Sequence, residues 1–143
     1  MKDKKYNELH NLDKALKKRI IICARKGEQV KLDGYAIFKK SKKFSVIQNR
    51  QGHKFSLLSY VLMYKSSVLI RVDIIGRDHK GIPTPHVHIF NEKYDNGCLA
   101  IPLSKLKKYK ENDDIVDSLY NFLQYNNFEI NSLQVYLDLT DAS

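Results

Sequence analysis

Cysteine is scarce in this chain. Cys23 and Cys98 are its two thiols, far apart and without Cys-x-x-Cys spacing, which argues against a disulfide framework or a thiolate zinc site and makes both read as core thiols. No apolar stretch approaches the length of a bilayer span, and the basic N-terminus lacks the apolar segment of a signal peptide, so a cytoplasmic protein with no membrane partner is expected. Internal repeats, low-complexity linkers and a glycine-rich phosphate loop are all missing. Beyond Lys110 there is no lysine or arginine at all.

What is present suits one domain, 1–143, with a real core: 143 residues, 43% hydrophobic and 10% aromatic, exclude wholesale disorder. The charge is unevenly spread. Seven acidic residues (Glu111, Asp113, Asp114, Asp117, Glu129, Asp138 and Asp141) lie beyond Lys110, so the first 110 residues carry all 25 basic side chains against 9 acidic ones, a net of +16. Basic clusters stand at Lys14, Lys17, Lys18 and Arg19, at Lys39, Lys40, Lys42 and Lys43, and at Lys105, Lys107, Lys108 and Lys110. Such a surface attracts phosphate backbones in a salt-dependent way. Lys39, Lys40, Lys42, Lys43, Lys105, Lys107 and Lys108 are therefore expected to contact nucleic acid, although lysine also simply solubilises exposed faces.

Residues 1–27 read as a basic amphipathic helix, with Leu9, Leu12, Leu16, Ile20 and Cys23 at helical spacing and Gly27 as the stop. His10 lies beside that stripe without an identifiable partner. Residues 30–103 change to short β-type runs separated by turns at Asp33-Gly34, Asn49 to Gly52 and Asp95-Asn96-Gly97. In 111–143, Asn112 is expected to cap a helix with Ile115, Leu119, Phe122 and Leu123 as its buried stripe, followed by a final strand or edge within Leu133 to Leu139. The fold class expected is α+β, a mostly antiparallel sheet flanked by an N-terminal and a C-terminal helix.

The chemistry concentrates between Arg71 and Phe90. Val68 to Ile75 alternates, with Ile70, Val72 and Ile74 on one face and Arg71 and Asp73 on the other; His86 to Phe90 alternates with Val87 and Ile89 opposite His86, His88 and Phe90. If the two strands pair antiparallel across the loop from Gly76 to Pro85 with their apolar sides together, Arg71, Asp73, His86 and His88 share one surface and His79 stands in the loop above it. Two histidines so placed can serve as general base and general acid in phosphodiester cleavage, with Asp73 orienting a ring and Arg71 stabilising the phosphorane, and no metal or cofactor is then needed. The same His-x-His pair, with Asp73 or His79, could instead hold a divalent metal. A third reading makes the histidines architectural beside a loop stiffened by Pro83 and Pro85.

Arg71, Asp73, Gly76, His79, Pro85, His86, His88, Ile89 and Phe90, followed by a helix ending in Phe122-Leu123-Gln124-Tyr125-Asn126, form an order that resembles a family of small uncharacterised bacterial and phage-borne proteins. The likeness runs from about Phe44 to about Gln134 and leaves the N-terminal segment uncovered. It implies a mobile-element setting: a toxin–antitoxin, phage-defence or anti-defence protein. Pro85-His86-Val87-His88 also looks like the start of the histidine-triad nucleotide hydrolase signature, but Phe90 stands where that signature needs a further histidine, and the activity is rejected. The same four residues are similar to a signature of small basic proteins encoded beside antitoxins.

The leading expectation is a metal-independent endoribonuclease in which His86 and His88 perform the acid–base transfer, Asp73 orients a ring, Arg71 stabilises the phosphorane and His79 is the third candidate, with RNA as the favoured partner and an antitoxin or defence complex as a protein partner. The alternatives are an inhibitor that occupies the nucleic-acid channel of a defence complex, and a metal-dependent phosphoesterase.

Overall fold

Short β-type runs between Gln29 and Ile75 form four successive antiparallel strands in the computed structural model, which describes residues 1–52 and 57–140. They are β3 (Gln29–Ala36), β4 (Lys39–Asn49), β5 (Leu58–Tyr64) and β6 (Ser67–Ile75). β1 (Lys14–Leu16) joins the outer edge of β3, and β7 (His86–Ile89) and β8 (Ala100–Pro102) extend the other side, giving a seven-stranded sheet in the order β1-β3-β4-β5-β6-β7-β8 with every pairing antiparallel. Helix α1 spans Asp3–Asn11 and helix α2 spans Ile115–Tyr125. The expected α+β class, mostly antiparallel with a helix toward each end, is what the chain adopts.

One face of the sheet carries the core. Val46, Tyr60, Leu62, Ile70, Val72 and Val87 are fully buried, and Leu119, Phe122 and Leu123 of α2 close over them, with the Tyr60 and Phe122 rings stacked at 5.2 Å. The polar groups inside are paired: Gln48 Nε2 donates to the Tyr60 hydroxyl at 2.9 Å, and that hydroxyl meets Ser118 Oγ at 2.5 Å. Burying this face leaves the opposite face of β6 and β7 for Arg71, Asp73, His86 and His88.

The N-terminal expectation is corrected beyond Asn11. Instead of one helix to Gly27, the chain extends at Leu12, forms β1, and then β2 (Ile20–Ile22), which pairs in parallel with β9 (Gln134–Tyr136). Ile21 is buried while Ile20 and Ile22 are exposed, a period of two that three consecutive β-branched residues favour. Lys14, read as part of a basic surface cluster, is fully buried: its ammonium donates to the carbonyls of His10 (2.8 Å), Leu12 (2.9 Å) and Asn126 (2.8 Å), and burial lowers its pKa to about 7. His10 has a partner in Asn126 Oδ1 at 3.0 Å, and burial together with the Lys14 charge lowers its pKa to about 4.

Asp33-Gly34 is no turn. Both residues lie inside β3, where a side chain on Gly34 would meet the Ala15 carbonyl oxygen at 2.8 Å, so the glycine serves a close approach of β1. Asp114 rather than Asn112 caps α2, accepting from Val116 N at 3.1 Å and Asp117 N at 2.9 Å, while Asn112 accepts from Asp114 N. Cys23 is a core thiol as expected, but Cys98 is exposed in the turn after β7. Asp141 lies outside the described residues.

Candidate active site

The β6–β7 register sets Asp73 opposite His86 and Arg71 opposite His88, with Val72 and Val87 paired on the buried side. All four polar side chains therefore emerge on one face, and the loop between the strands adds His79. That loop is itself ordered by a tight hairpin. His79 and Ile82 exchange backbone hydrogen bonds at 2.9 Å each way around Lys80 and Gly81, both of which have positive φ. The five residues expected to form a site are brought together.

Their hydrogen bonds assign protons. The Arg71 guanidinium forks onto Asp73, Nε to Oδ1 at 3.1 Å and Nη2 to Oδ2 at 3.1 Å, and Nη2 also reaches His88 Nε2 at 2.9 Å. A guanidinium only donates, so His88 Nε2 accepts, and its Nδ1 carries the proton that goes to the Gly97 carbonyl at 2.8 Å. His88 Nε2 also lies 3.4 Å from Asp73 Oδ2, but the shorter contact to Arg71 decides its protonation. His86 differs: Nδ1 faces the Ile82 carbonyl at 3.1 Å and Nε2 faces Asp73 Oδ2 at 2.8 Å, two acceptors that a doubly protonated ring satisfies together. His79 donates from Nε2 to the Cys98 carbonyl at 2.9 Å, which leaves its Nδ1 lone pair free.

Burial on its own would raise the Asp73 carboxyl. The His88 contact, the Arg71 charge and the bonds from Arg71 and His86 outweigh it and hold Asp73 at about 2. Asp73 is thus a carboxylate that orients a histidine and pins an arginine.

A cleft of about 300 Å³ opens beside this group, walled by Arg71, Asp73, Arg77, His79 and His86 together with polar side chains of Asn49 and Ser59. His88 is not among its walls. The three imidazoles nevertheless sit close, His79 to His88 at 4.9 Å, His86 to His88 at 5.0 Å and His79 to His86 at 6.5 Å between ring centres.

The expected nucleic-acid lysines are not all equivalent. Lys43 shares the site face, because Lys31, Ile47, Val61 and Arg71 form one rung of the sheet and Lys43 lies four residues before Ile47 on β4. Lys42 points the other way, with its ammonium 5.6 Å from the centre of the Tyr64 ring. Lys39, Lys40, Lys105, Lys107 and Lys108 are exposed.

Sequence reasoning missed the carbonyls that fix the tautomers, those of Ile82 and Gly97. It also missed Arg77, Asn49 and Ser59 in the cleft, and Lys31 on the open face. The Asp95-Asn96-Gly97 turn was visible as a turn, and its positive φ at all three residues is what aims the Gly97 carbonyl at His88.

No curated protein and no solved structure matches this chain. Residues 1–128 match a family described only as a family of unknown function, DUF6978, a span that includes the N-terminal segment left uncovered by the likeness read from the sequence. Among the described residues no helix is long and apolar enough to cross a membrane. With nine-tenths of its length inside that match, the chain belongs to the DUF6978 family.

Proposed function

We propose that this protein is a small endoribonuclease that works by histidine acid–base chemistry in the cytosol. The observation that supports it is the contrast between two imidazoles walling one cleft: both His86 ring nitrogens face oxygen acceptors, as a proton donor's would, whereas His79 is bonded through Nε2 alone, as a base with a lone pair at Nδ1 would be. In this reading His79 takes the proton of a ribose 2′-hydroxyl, the oxygen attacks phosphorus, and the bond to the 5′-oxygen breaks as His86 delivers its Nε2 proton to that leaving oxygen. The products are a 2′,3′-cyclic phosphate and a 5′-hydroxyl.

Arg71 stabilises the charge on the phosphorane, Asp73 fixes the His86 ring until the Nε2 proton it shares passes to the leaving oxygen, and His88 positions Arg71. The basic surface of the first 110 residues supplies the affinity for RNA. A bacterial or phage-borne origin, with an antitoxin or a defence complex as partner, belongs to the same proposal and is supported by the likeness over Arg71 to Phe90 and, for the antitoxin, at Pro85-His86-Val87-His88.

The test is cleavage of labelled single-stranded RNA by the wild type, His79→Ala and His86→Ala, with and without chelator. The expected result is chelator-resistant cleavage that falls by about 10²-fold or more in either variant. Full cleavage by both variants sinks the mechanism. If none of the proteins cuts but all bind RNA in a salt-dependent manner, the chain is a binding module, as an inhibitor of a defence complex would be.

A further inference from the structure

His86 and His88 each anchor Nδ1 on a main-chain carbonyl, Ile82 and Gly97 respectively, and each turns Nε2 toward the same oxygen of Asp73. A carbonyl bond at one ring nitrogen is how proteins fix an imidazole so that the other nitrogen can ligate a metal. The three ligand atoms lie within 4.8 Å of one another, with Asp73 Oδ2 at 2.8 Å from His86 Nε2 and 3.4 Å from His88 Nε2. Tetrahedral zinc with bonds of about 2.0–2.1 Å needs neighbouring ligand atoms roughly 3.3 Å apart. The two separations from Asp73 Oδ2 lie within about 0.5 Å of that geometry, and the set as a whole, which spans no more than 4.8 Å, closes on an ion when the two imidazoles move together.

What now fills the position is the Arg71 guanidinium, bonded to both Asp73 and His88. Its side chain is 40% exposed and borders the cleft, so it has somewhere to go when a smaller and more highly charged cation takes its place. Two nitrogens and one carboxylate oxygen suit an ion of the zinc class rather than magnesium or calcium.

We propose that Asp73, His86 and His88 form a binding site for one divalent transition-metal ion of the zinc class, in competition with Arg71, and that filling it switches off the acid–base site. The ion accepts lone pairs from both Nε2 atoms and from Asp73 Oδ2; the His86 Nε2 proton leaves to solvent, and Arg71 swings out still charged. His86 then has no proton for the leaving oxygen. The inhibitory half rests on the nuclease reading above, whereas the site itself does not.

The experiment uses the full-length protein without a metal-binding tag. Cobalt(II) binding is read from visible absorption and zinc binding from competition with a chromogenic chelator, for the wild type, His88→Ala and Arg71→Ala, each checked for folding by circular dichroism. One ion per chain is expected, bound roughly tenfold or more weakly by His88→Ala and more tightly by Arg71→Ala, because the competing cation is gone. RNA cleavage by the wild type should fall in step with occupancy.

Equal binding by all three proteins, or none, overturns the site. Binding that leaves cleavage unchanged overturns the switch, and binding that stimulates cleavage overturns both the switch and the metal-free mechanism. Should the protein cut no RNA at all, the nuclease reading fails while the binding measurements still decide the site.

Discussion

Arg71 and His88 face each other across one rung of the β6–β7 ladder, with guanidinium Nη2 and imidazole Nε2 2.9 Å apart. This contact makes His88 a fixed acceptor whose task is to hold the arginine fork on Asp73. Removing it should hurt less than removing His79 or His86. His88→Ala is expected to lower kcat/KM about tenfold, with the loss in KM and kcat together and the pH–rate profile unchanged. Arg71→Lys should cost more, about 10²-fold, because a lysine ammonium cannot span both Asp73 oxygens and His88. Steady-state kinetics on a short RNA checks both, and a shifted pH profile in His88→Ala would assign His88 to the proton transfer itself.

Asp73 gives the fold an acid limit. Its carboxyl is held at about 2 in the folded protein against an ordinary 3.8, so the unfolded chain binds its proton first as pH falls. The stabilisation is fully present above about pH 4 and is lost as pH drops toward 2, an amount of roughly 2 kcal/mol. Asp73→Asn should therefore be less stable than the wild type at pH 7, with the gap closing between pH 4 and 2. Denaturant melts across that range test it; a gap independent of pH would mean that the amide's lost contacts, not the charge, set the difference.

Gly97 joins the turn to the site. Its φ is +91°, and a Cβ there would stand 2.5 Å from the Phe90 ring, so Gly97→Ala must shift either the ring or the carbonyl that accepts from His88. A destabilisation of about 1–3 kcal/mol is expected, together with weaker binding of cobalt(II). Thermal melts and the absorption titration read the two effects separately.

Much of the site was legible because strand parity is a local property. Arg71 and Asp73 must share a face opposite Val72, and His86 and His88 must share one opposite Val87, wherever the strands go; a single antiparallel pairing then makes the cluster. The N-terminal segment misled for a related reason. Leu12, Leu16 and Ile20 are spaced by four, which fits one face of a strand as well as one face of a helix, and pairing with β3 and β9 decided in favour of strands. Gly34 resembled a turn because its true cause, the approach of Ala15, comes from a distant part of the chain. The proton positions of the histidines were out of reach for the same reason, since they depend on where the Ile82 and Gly97 carbonyls arrive in space.

The open face of the sheet separates lysines that sequence alone groups together. Lys31 and Lys43 project on the side of Arg71, and RNA lying across β3 to β6 toward the cleft would pass them, whereas Lys42 leans over Tyr64 on the other side. Lys31→Glu and Lys43→Glu should each weaken binding of single-stranded RNA and reduce the slope of log affinity against log salt by about 0.7, the value for one phosphate contact. Lys42→Glu should change the slope much less, although all three substitutions alter net charge equally. Fluorescence-anisotropy titrations at several salt concentrations distinguish a tracked path from diffuse attraction: identical losses in the three variants would mean that RNA answers to total charge, and that the face bearing Arg71 is not its route to the site.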